Sequence, residues 1–261
     1  MQALVAADGT WYERIDPELG WVAIPGAVRK LSVLNQAGLR SAHEYAAQPP
    51  PGVVRIAAFG DSFVHGDEVS TEQEWPTRLE HAQPGIEVLN FGVGGYGLDQ
   101  ALLRFSAESA AFHPQVVLIG VIADDVLRGV NVFRPFLAPT TGNALTKPRF
   151  LLEGDGSELR LLANPLRSAA DYRAFLADPV PVLHAIVPCD HDAPPASDAG
   201  PFDLLATVRL VKLLGASARR PDFGRPATRG GQLDPDAEPG RLARATLREF
   251  APAFARRARH R

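Results

Sequence analysis

Three short apolar segments alternate with helical patterns in the middle of the chain. They are Val53–Phe59 (VVRIAAF), Ile86–Phe91 (IEVLNF) and Val116–Val121 (VVLIGV), and turn residues bound each of them. Short apolar runs that end in turn residues are typical of strands buried on both faces of a sheet. We therefore predict three buried strands.

Two helical patterns lie between these strands. Thr71–Glu74 (TEQE) has the spacing of a capping box, which predicts a helix running to about His81. Five residues of the second pattern fall on one stripe at helical spacing: Leu98, Ala101, Leu102, Phe105 and Ser109. Strands that alternate with helices predict an α/β fold whose sheet is parallel, with right-handed crossovers.

The regions on either side of this pattern are less regular. Residues 1–50 are rich in turn residues and predict an N-terminal extension packed on a main domain of residues 53–261. Stretches rich in Pro, Gly and Asp at 188–201 and 219–240 are typical of long loops. Such loops are unusual in one compact domain and indicate either an inserted region or partial disorder; we expect an irregular insertion at about 137–240.

Two regular elements are predicted in the second half of the chain. Arg149–Glu153 and Glu158–Leu162 flank a Gly-Asp-Gly-Ser turn and predict a hairpin. A final helix, with Pro252 as the site of a kink, is predicted by the spacing of Leu242, Ala245, Leu247, Phe250 and Phe254. No strand pattern follows this helix, so we expect a sheet that is incomplete at its C-terminal end.

Composition and charge narrow the class of partner. The 261 residues are 46% hydrophobic and 22% charged, with a formal net charge of −3, which gives no reason to expect nucleic acid or an anionic membrane as partner. Cys189 is the single cysteine, so no intrachain disulfide is expected. The sequence has no apolar run of membrane-spanning length and no signal-peptide pattern, which makes the cytoplasm the default location and leaves the compartment open.

Chemically suited residues follow each predicted strand. Gly60-Asp61-Ser62-Phe63 comes after the first strand, a glycine-rich loop at 92–97 after the second, and Asp124-Asp125 after the third. Because the carboxyl ends of parallel strands share one edge, where open α/β folds bind ligands, these residues are expected to converge.

Ser62 is the candidate nucleophile of this edge. A serine at a strand-to-helix turn presents its hydroxyl at the sheet edge, and its N–H lies near a helix N-terminus, where developing negative charge is favoured. Glycines in the neighbouring loop let another N–H approach a reacting carbonyl closely. Together these groups would form an oxyanion hole, in which one donor typically contributes about 3 kcal/mol.

The segments GDSF, NFGVGGYG and Asp124-Asp125 resemble the first three motif blocks of the SGNH/GDSL hydrolase family, over roughly residues 53–136. The resemblance implies a flavodoxin-like, three-layer α/β/α fold. It also implies an enzyme that hydrolyses esters and needs no metal or other cofactor. It also implies that Ser62 is nucleophile and first oxyanion donor and that Gly95 is the second donor. Asp61 and His65 become neighbours of the site.

The third block departs from the family pattern. The family has an Asn there, whose side chain completes the oxyanion hole, but this chain has Asp124. An ionised Asp only accepts hydrogen bonds and would repel an oxyanion. Either Asp124 is protonated, or another donor serves, or the hole is weaker. Asp125 matches the acidic residue that follows the Asn, and we expect it to be structural.

The family's last block, an Asp followed three residues later by the catalytic His, is not found. The residues three positions before the seven His are Arg40, Ser62, Arg78, Ala110, Pro181, Pro188 and Arg257, and none is acidic. A serine without a base is a poor nucleophile near neutral pH. His65, His184 and His191 are the alternative candidates for the base. The segment Cys189–Asp192 has residue types that bind metals, but a metal site there is a weak hypothesis because a second group of ligands is missing.

We therefore expect a hydrolase of carboxylic esters that forms an acyl-enzyme on Ser62, with a small-molecule or carbohydrate ester as substrate. Three alternatives stay open: an O-acyltransferase of the same fold, a catalytically silent carbohydrate- or ester-binding domain, and a truncated product of a longer gene. A nucleotide-binding role for residues 92–97 is disfavoured, because the loop lacks GxGxxG spacing and a P-loop Lys. The acyl group, the alcohol and the oligomeric state are not specified.

Overall fold

The computed structural model describes residues 12–140, 143–154, 156, 158–193, 228–229 and 232–258. About half of the predicted loops at 188–201 and 219–240 lies outside them. The prediction of a loop over the whole of 219–240 is wrong, because Thr228–Arg229 pairs with Gln232–Leu233 and the last helix begins at Glu238. The strands are β1 (Glu13–Asp16), β2 (Gly20–Ala23), β3 (Val28–Arg29), β4 (Ser32–Val33), β5 (Val54–Phe59), β6 (Ile86–Asn90), β7 (Val116–Ile119), β8 (Arg149–Glu153), β9 (Glu158–Leu162), β10 (Thr228–Arg229) and β11 (Gln232–Leu233).

Helices connect and cover these strands. They are α1 (Ser62–His65), α2 (Trp75–Ala82), α3 (Leu98–Glu108), α4 (Ala123–Gly129), α5 (Arg134–Leu137), α6 (Ala169–Ala177), α7 (Val180–Ile186) and α8 (Glu238–Ala258), with 3₁₀ turns at Ser109–Phe112 and Val187–Cys189. None of the described helices has the length and apolar character needed to cross a membrane.

A parallel sheet of three strands organises the site. Its order is β6-β5-β7, with β5 parallel to both neighbours. In chain order this is second-first-third, the order in which a flavodoxin-like sheet begins. The predicted α/β class, the three strands and the parallel sheet are therefore confirmed. The switch point between β5 and β7 is where such sheets bind ligands.

The prediction that all three strands are buried on both faces is wrong for β7. Val116 and Leu118 are 39% and 37% exposed, whereas Ala57, Ala58 and Phe59 of β5 are fully buried. Val116 and Leu118 alternate along β7 and so lie on the same face of the sheet, which the described residues leave partly uncovered.

The predicted helices are present with shifted boundaries. Helix α2 starts at Trp75, because Glu74 is its N-cap and its carboxylate accepts the N–H of Thr77, so the predicted capping box at Thr71–Glu74 is misplaced. Helix α3 carries the predicted stripe and gives way to a 3₁₀ turn after Glu108. Helix α8 contains Pro252, but Leu247 of its predicted apolar stripe is 40% exposed.

The hairpin β8–β9 is confirmed as an antiparallel pair. It packs with α3 and α8, while a hydrophobic cluster that includes Phe59, Phe91, Phe105 and Phe250 joins the sheet to these helices. Between α3 and the hairpin, the buried ammonium of Lys147 pairs with the buried carboxylate of Asp99. Burial raises the pKa of Asp99 and lowers that of Lys147. This pair ties the start of α3, just after the glycine-rich loop, to the second half of the chain.

Residues 12–48 lie against the site edge of the sheet. The Trp21 indole donates to the Gly94 carbonyl at 3.0 Å, and the Tyr96 hydroxyl donates to the Trp21 carbonyl at 2.7 Å. The Arg40 guanidinium donates to the carbonyls of His65 and Val69 at 2.7 and 2.6 Å. The N-terminal segment thus holds the two loops that follow β5 and β6. The domain boundary at residues 50–53 and the insertion at 137–240 stay predictions.

Candidate active site

Ser62 lies at the turn between β5 and α1. Its neighbour Asp61 is buried and caps the helix, because its Oδ1 accepts the N–H of Phe63 at 2.9 Å. The Ser62 hydroxyl is partly exposed and donates to Asp61 Oδ2 over 3.5 Å, a long contact. Because α1 has only four residues, any stabilisation of negative charge here comes from single N–H groups rather than from a helix dipole.

The glycine-rich loop after β6 lies directly against α1. A Cβ on Gly92 would approach the backbone nitrogen of His65 to 2.4 Å, so only glycine allows the two loops to come this close. Gly95 has φ +76°, a left-handed conformation that also favours glycine. These two glycines explain why the loop after β6 is glycine-rich.

The backbone N–H groups of Ser62 and Gly95, at this edge, have no protein acceptor among the described residues. Nearly all buried N–H groups in folded proteins are paired, so unpaired donors at a loop edge are available to a ligand. The resemblance assigned the oxyanion hole to the same two residues. Their joint role there stays a prediction.

Asp124 and Asp125 lie in the first turn of α4 and point in different directions. The Asp125 side chain is buried and accepts the N–H of Ile122 at 2.9 Å, which caps α4. The Asp124 side chain is 65% exposed, and its nearest charged partner is Arg128 at 3.5 Å. Asp124 therefore has a solvent-exposed carboxylate where the family has an amide.

Arg128 connects the loops that follow all three strands. Its Nη1 lies 2.9 Å from Asp61 Oδ2, 2.9 Å from Asp125 Oδ1 and 3.2 Å from the Tyr96 carbonyl oxygen. Burial, with Asp61 close by, raises the pKa of Asp125 to about 7. The guanidinium thus compensates two buried carboxylates. The sequence analysis did not identify Arg128, whose position three residues after Asp125 resembles an ordinary pair on a helix surface.

His65 is buried, and both of its ring nitrogens have partners. Nε2 accepts from the Tyr12 hydroxyl at 3.0 Å, and Nδ1 donates to the Gly92 carbonyl at 3.1 Å. Burial, followed by the nearby Arg40, lowers the pKa of His65 to about 4, so the ring is neutral near pH 7. In this arrangement His65 joins α1 to the loop after β6.

The other two histidine candidates lie on other elements of the structure. His191 Nδ1 lies 3.1 Å from Glu238 Oε2, and this hydrogen bond raises the pKa of His191. His184 lies on α7. Among the described residues, no histidine ring is hydrogen-bonded to Ser62.

The Cys189–Asp192 segment serves as an anchor between elements. Asp190 is fully buried, and its carboxylate accepts the N–H groups of Val132 and Phe133 at 2.7 and 2.8 Å. The described residues contain no group of three or more His, Cys, Asp or Glu side chains arranged to hold a metal ion. The metal hypothesis for this segment gains no support.

A polar cavity of about 250 Å³ opens beside the glycine-rich loop. Charged and polar side chains dominate its walls, and its lining includes Tyr12, Glu13, Arg29, Lys30, Asp67 and Gly94. Gly94, the chain neighbour of Gly95, lines this cavity, whereas Ser62 and Gly95 are not among its lining residues.

Glu74 is a buried carboxylate that supports the loop after Ser62. Its Oε1 accepts from Thr77, and its Oε2 accepts the side-chain amide of Asn90 at 3.1 Å. Burial outweighs these hydrogen bonds and raises its pKa from 4.5 to about 7. Between these two values the folded state binds a proton that the unfolded state releases, so stability is lost as pH rises through this window.

We therefore expect Glu74→Gln to remove part of this pH dependence. The free energy of unfolding of the variant minus that of the wild type should increase as pH rises from about 4.5 to about 7 and be constant above it. Urea denaturation at half-unit pH intervals measures this difference, and the constant cost of the substitution cancels in the trend. A difference that does not vary with pH would contradict a raised pKa at Glu74.

The GDSL-like Lipase/Acylhydrolase family model matches residues 58–260 of the chain. The match covers most of the chain and extends well past residue 136, where the motif resemblance ended. The chain therefore belongs to the GDSL-like lipase/acylhydrolase family.

Among solved structures, the chain is similar to AlinE4, described as an SGNH-hydrolase family esterase. The identity is 18% and the TM-score 0.28, over 80% of this chain and 98% of that chain. Two mutants of the same esterase give identities of 20% and 19%, each with a TM-score of 0.27 and the same coverage. The curated proteins contain no match. The family assignment rests on the family model.

Proposed function

We propose that the protein hydrolyses carboxylic esters through a covalent acyl-enzyme on Ser62. The observation that carries the proposal is the edge of the sheet at β5 and β6. It presents an accessible serine hydroxyl together with two backbone N–H groups, of Ser62 and Gly95, that have no acceptor among the described residues. A nucleophile and an oxyanion hole need these groups in one place.

In the proposed reaction, Ser62 Oγ attacks the acyl carbon of the ester, and its proton passes to a base. The N–H groups of Ser62 and Gly95 would stabilise the oxyanion of the tetrahedral intermediate. The bond from the acyl carbon to the alcohol oxygen then breaks, and the alcohol leaves with a proton. Water attacks the acyl-serine, which releases the carboxylic acid and restores the hydroxyl.

The substrate class follows from the surroundings of the loop. The polar cavity beside Gly94 has space for a small group, and its charged walls favour hydrogen-bonding groups over a long acyl chain. A small-molecule or carbohydrate ester therefore fits better than a lipid. An O-acyltransferase would use the same nucleophile with a sugar hydroxyl in place of water, and product analysis with added sugar acceptors distinguishes the two reactions.

A catalytically silent, ligand-binding domain is the second candidate. The observation that favours it is the hydroxyl of Ser62, which donates to Asp61, while Arg128 occupies the same carboxylate oxygen. A serine that lacks a dedicated base is a weak nucleophile. In this candidate, the cavity and the two N–H groups bind a carbonyl compound that is never cleaved.

A fluorophosphonate that labels activated serines tests the two candidates. The hydrolase proposal expects one covalent adduct, located on Ser62 by peptide mass spectrometry, and its loss in Ser62→Ala. Ser70→Ala, a partly exposed loop serine, serves as the matched control and should keep the adduct. Absence of labelling in protein that circular dichroism shows to be folded would contradict the hydrolase and support the silent domain.

A further inference from the structure

Arg134 is a buried cation beside the candidate oxyanion hole. It is the first residue of α5, and its side chain is 7% exposed. Its Nη2 lies 3.9 Å from the position that a Cβ on Gly95 would occupy. Apart from Gly95 and its two chain neighbours, the described residues place one further atom within 4 Å of that position, from the Trp21 indole. The space next to Gly95 is thus bordered by an aromatic ring and a guanidinium.

This guanidinium is not paired by the part of the chain that the structure describes. Its Nε and Nη1 are buried without a hydrogen-bond partner, and no described carboxylate lies within 4.0 Å of it. Arg128, four residues after Asp124, has its own carboxylates instead. A buried charge without a hydrogen-bonded partner is costly, and proteins retain such charges mainly where a ligand or a reaction uses them.

Arg134 keeps its charge at neutral pH despite this cost. Burial, together with the nearby Arg128, lowers its pKa to about 10, which is still far above neutrality. A protonated guanidinium matches the geometry of a carboxylate, and Nη2, the atom that borders the space next to Gly95, is the donor that such a group would meet first.

We propose that Arg134 binds a carboxylate group of the substrate, so that the preferred substrates are esters that carry one negative charge close to the scissile bond. The proposal rests on the hydrolase function of the same edge. A carboxylate is favoured over a phosphate dianion because Asp124 and Asp192 already contribute negative potential at Arg134. In this negative potential, one guanidinium compensates the single negative charge of a carboxylate better than the two negative charges of a phosphate dianion.

The experiment compares anionic and neutral esters of matched size. Mono-p-nitrophenyl succinate against p-nitrophenyl butyrate tests a carboxylate on the acyl side, and 4-acetoxybenzoate against 4-acetoxybenzamide tests one on the alcohol side. Each pair yields a ratio of kcat/KM values, anionic over neutral. In Arg134→Met this ratio should fall about ten-fold or more for at least one pair, as expected when a desolvated charge pair is lost.

Two further variants make the result specific. Arg134→Gln removes the charge but keeps a polar side chain, so it should lower the ratio like Arg134→Met and remains usable if the methionine variant fails to fold. Arg160→Met, in an exposed pair with Glu153 on the β8–β9 hairpin, should leave the ratio unchanged. Because a buried charge without a hydrogen-bonded partner is removed, Arg134→Met should melt at or above the wild-type temperature.

Failure of this proposal differs from failure of the proposed function. Turnover of all four esters with ratios that do not change in the Arg134 variants would overturn the carboxylate site and leave the hydrolase intact. If no ester is cleaved, the hydrolase fails, and calorimetry with monomethyl succinate decides on the site. Binding that weakens ten-fold or more in Arg134→Met supports the site, whereas equal binding, or none to the wild type, overturns it.

Discussion

Ser62→Ala is expected to lower kcat/KM for p-nitrophenyl acetate by about a thousand-fold or more, since the variant lacks the hydroxyl that is proposed to form the acyl-enzyme. Any residual rate would come from the oxyanion donors and from binding, which remain in the variant. Steady-state assays of both proteins at one pH measure the ratio, and a catalytic impurity is excluded by purifying them identically.

The same variant should leave the fold almost unchanged. The hydroxyl is partly exposed, and its hydrogen bond to Asp61 is 3.5 Å long, so its loss should alter the free energy of unfolding by no more than about 0.5 kcal/mol. Ester affinity should also persist, because the Gly94 loop and the cavity are untouched. Equal turnover by wild type and Ser62→Ala would reject Ser62 as nucleophile.

The strands and the loops of the site were predictable because their signals are local. Apolar runs of strand length, followed by Gly60-Asp61-Ser62 and by the glycines at 92–97, specify a strand end and a tight turn within a few residues. A parallel sheet then brings these loops to one edge whatever lies between them. The convergence of Ser62 with the glycine-rich loop follows from this geometry alone.

The side chains that hold the site together were not predictable, because their partners are distant in sequence. Tyr12 meets His65 over 53 residues, and Trp21 meets Gly94 over 73. Arg134 reaches Gly95 in the same way. In the sequence, these arginine and aromatic residues look like ordinary surface or core positions, and only tertiary packing distinguishes them.

Errors in the predicted elements have two origins, one local and one tertiary. The motif at Thr71–Glu74 fits a capping box, but Glu74 itself caps α2 because Trp75 and Pro76 already suit the first turn. Leu247 has the period of a buried helix position, yet it is exposed because no described element covers that side of α8. Periodicity indicates which face is apolar but not what covers it.

Arg128→Met is expected to lower the free energy of unfolding by about 3–5 kcal/mol at neutral pH. The substitution leaves the carboxylates of Asp61 and Asp125, whose side chains are 2% and 3% exposed, without their cation. It also removes a donor to the Tyr96 carbonyl. Chemical denaturation of wild type and variant measures the loss.

The loss should depend on pH. In the wild type the pKa of Asp125 is raised from 3.8 to about 7, so the stability that its protonation contributes is lost as pH rises through this window. Without Arg128, Asp125 in the native state binds its proton more tightly still. The pH range over which this stability is lost then extends to higher pH. The destabilisation of Arg128→Met should therefore be smaller at pH 5 than at pH 8.

A matched substitution separates this network from general effects of losing an arginine. Arg160→Met removes an exposed pair, with side chains 52% and 46% exposed, and should change the free energy of unfolding by no more than about 0.5 kcal/mol. A loss below about 1 kcal/mol for Arg128→Met at pH 8 would contradict a compensating role for Arg128.

The activity of the Arg128 variants connects the network to catalysis. Asp61 both pairs with Arg128 and caps the turn that carries Ser62, so an unpaired Asp61 that turns toward water would move the hydroxyl. Displacement of a catalytic group by about 1 Å costs on the order of a hundred-fold in rate, which is the fall in kcat/KM that we expect for Arg128→Met.

Arg128→Lys separates the charge of Arg128 from its hydrogen-bonding geometry. The lysine keeps the positive charge, but its ammonium lacks the planar fork that reaches several acceptors. Compared with Arg128→Met, it should therefore recover stability more fully than activity. Equal recovery of stability and activity would mean that Arg128 contributes its charge alone and does not act by joining the three loops.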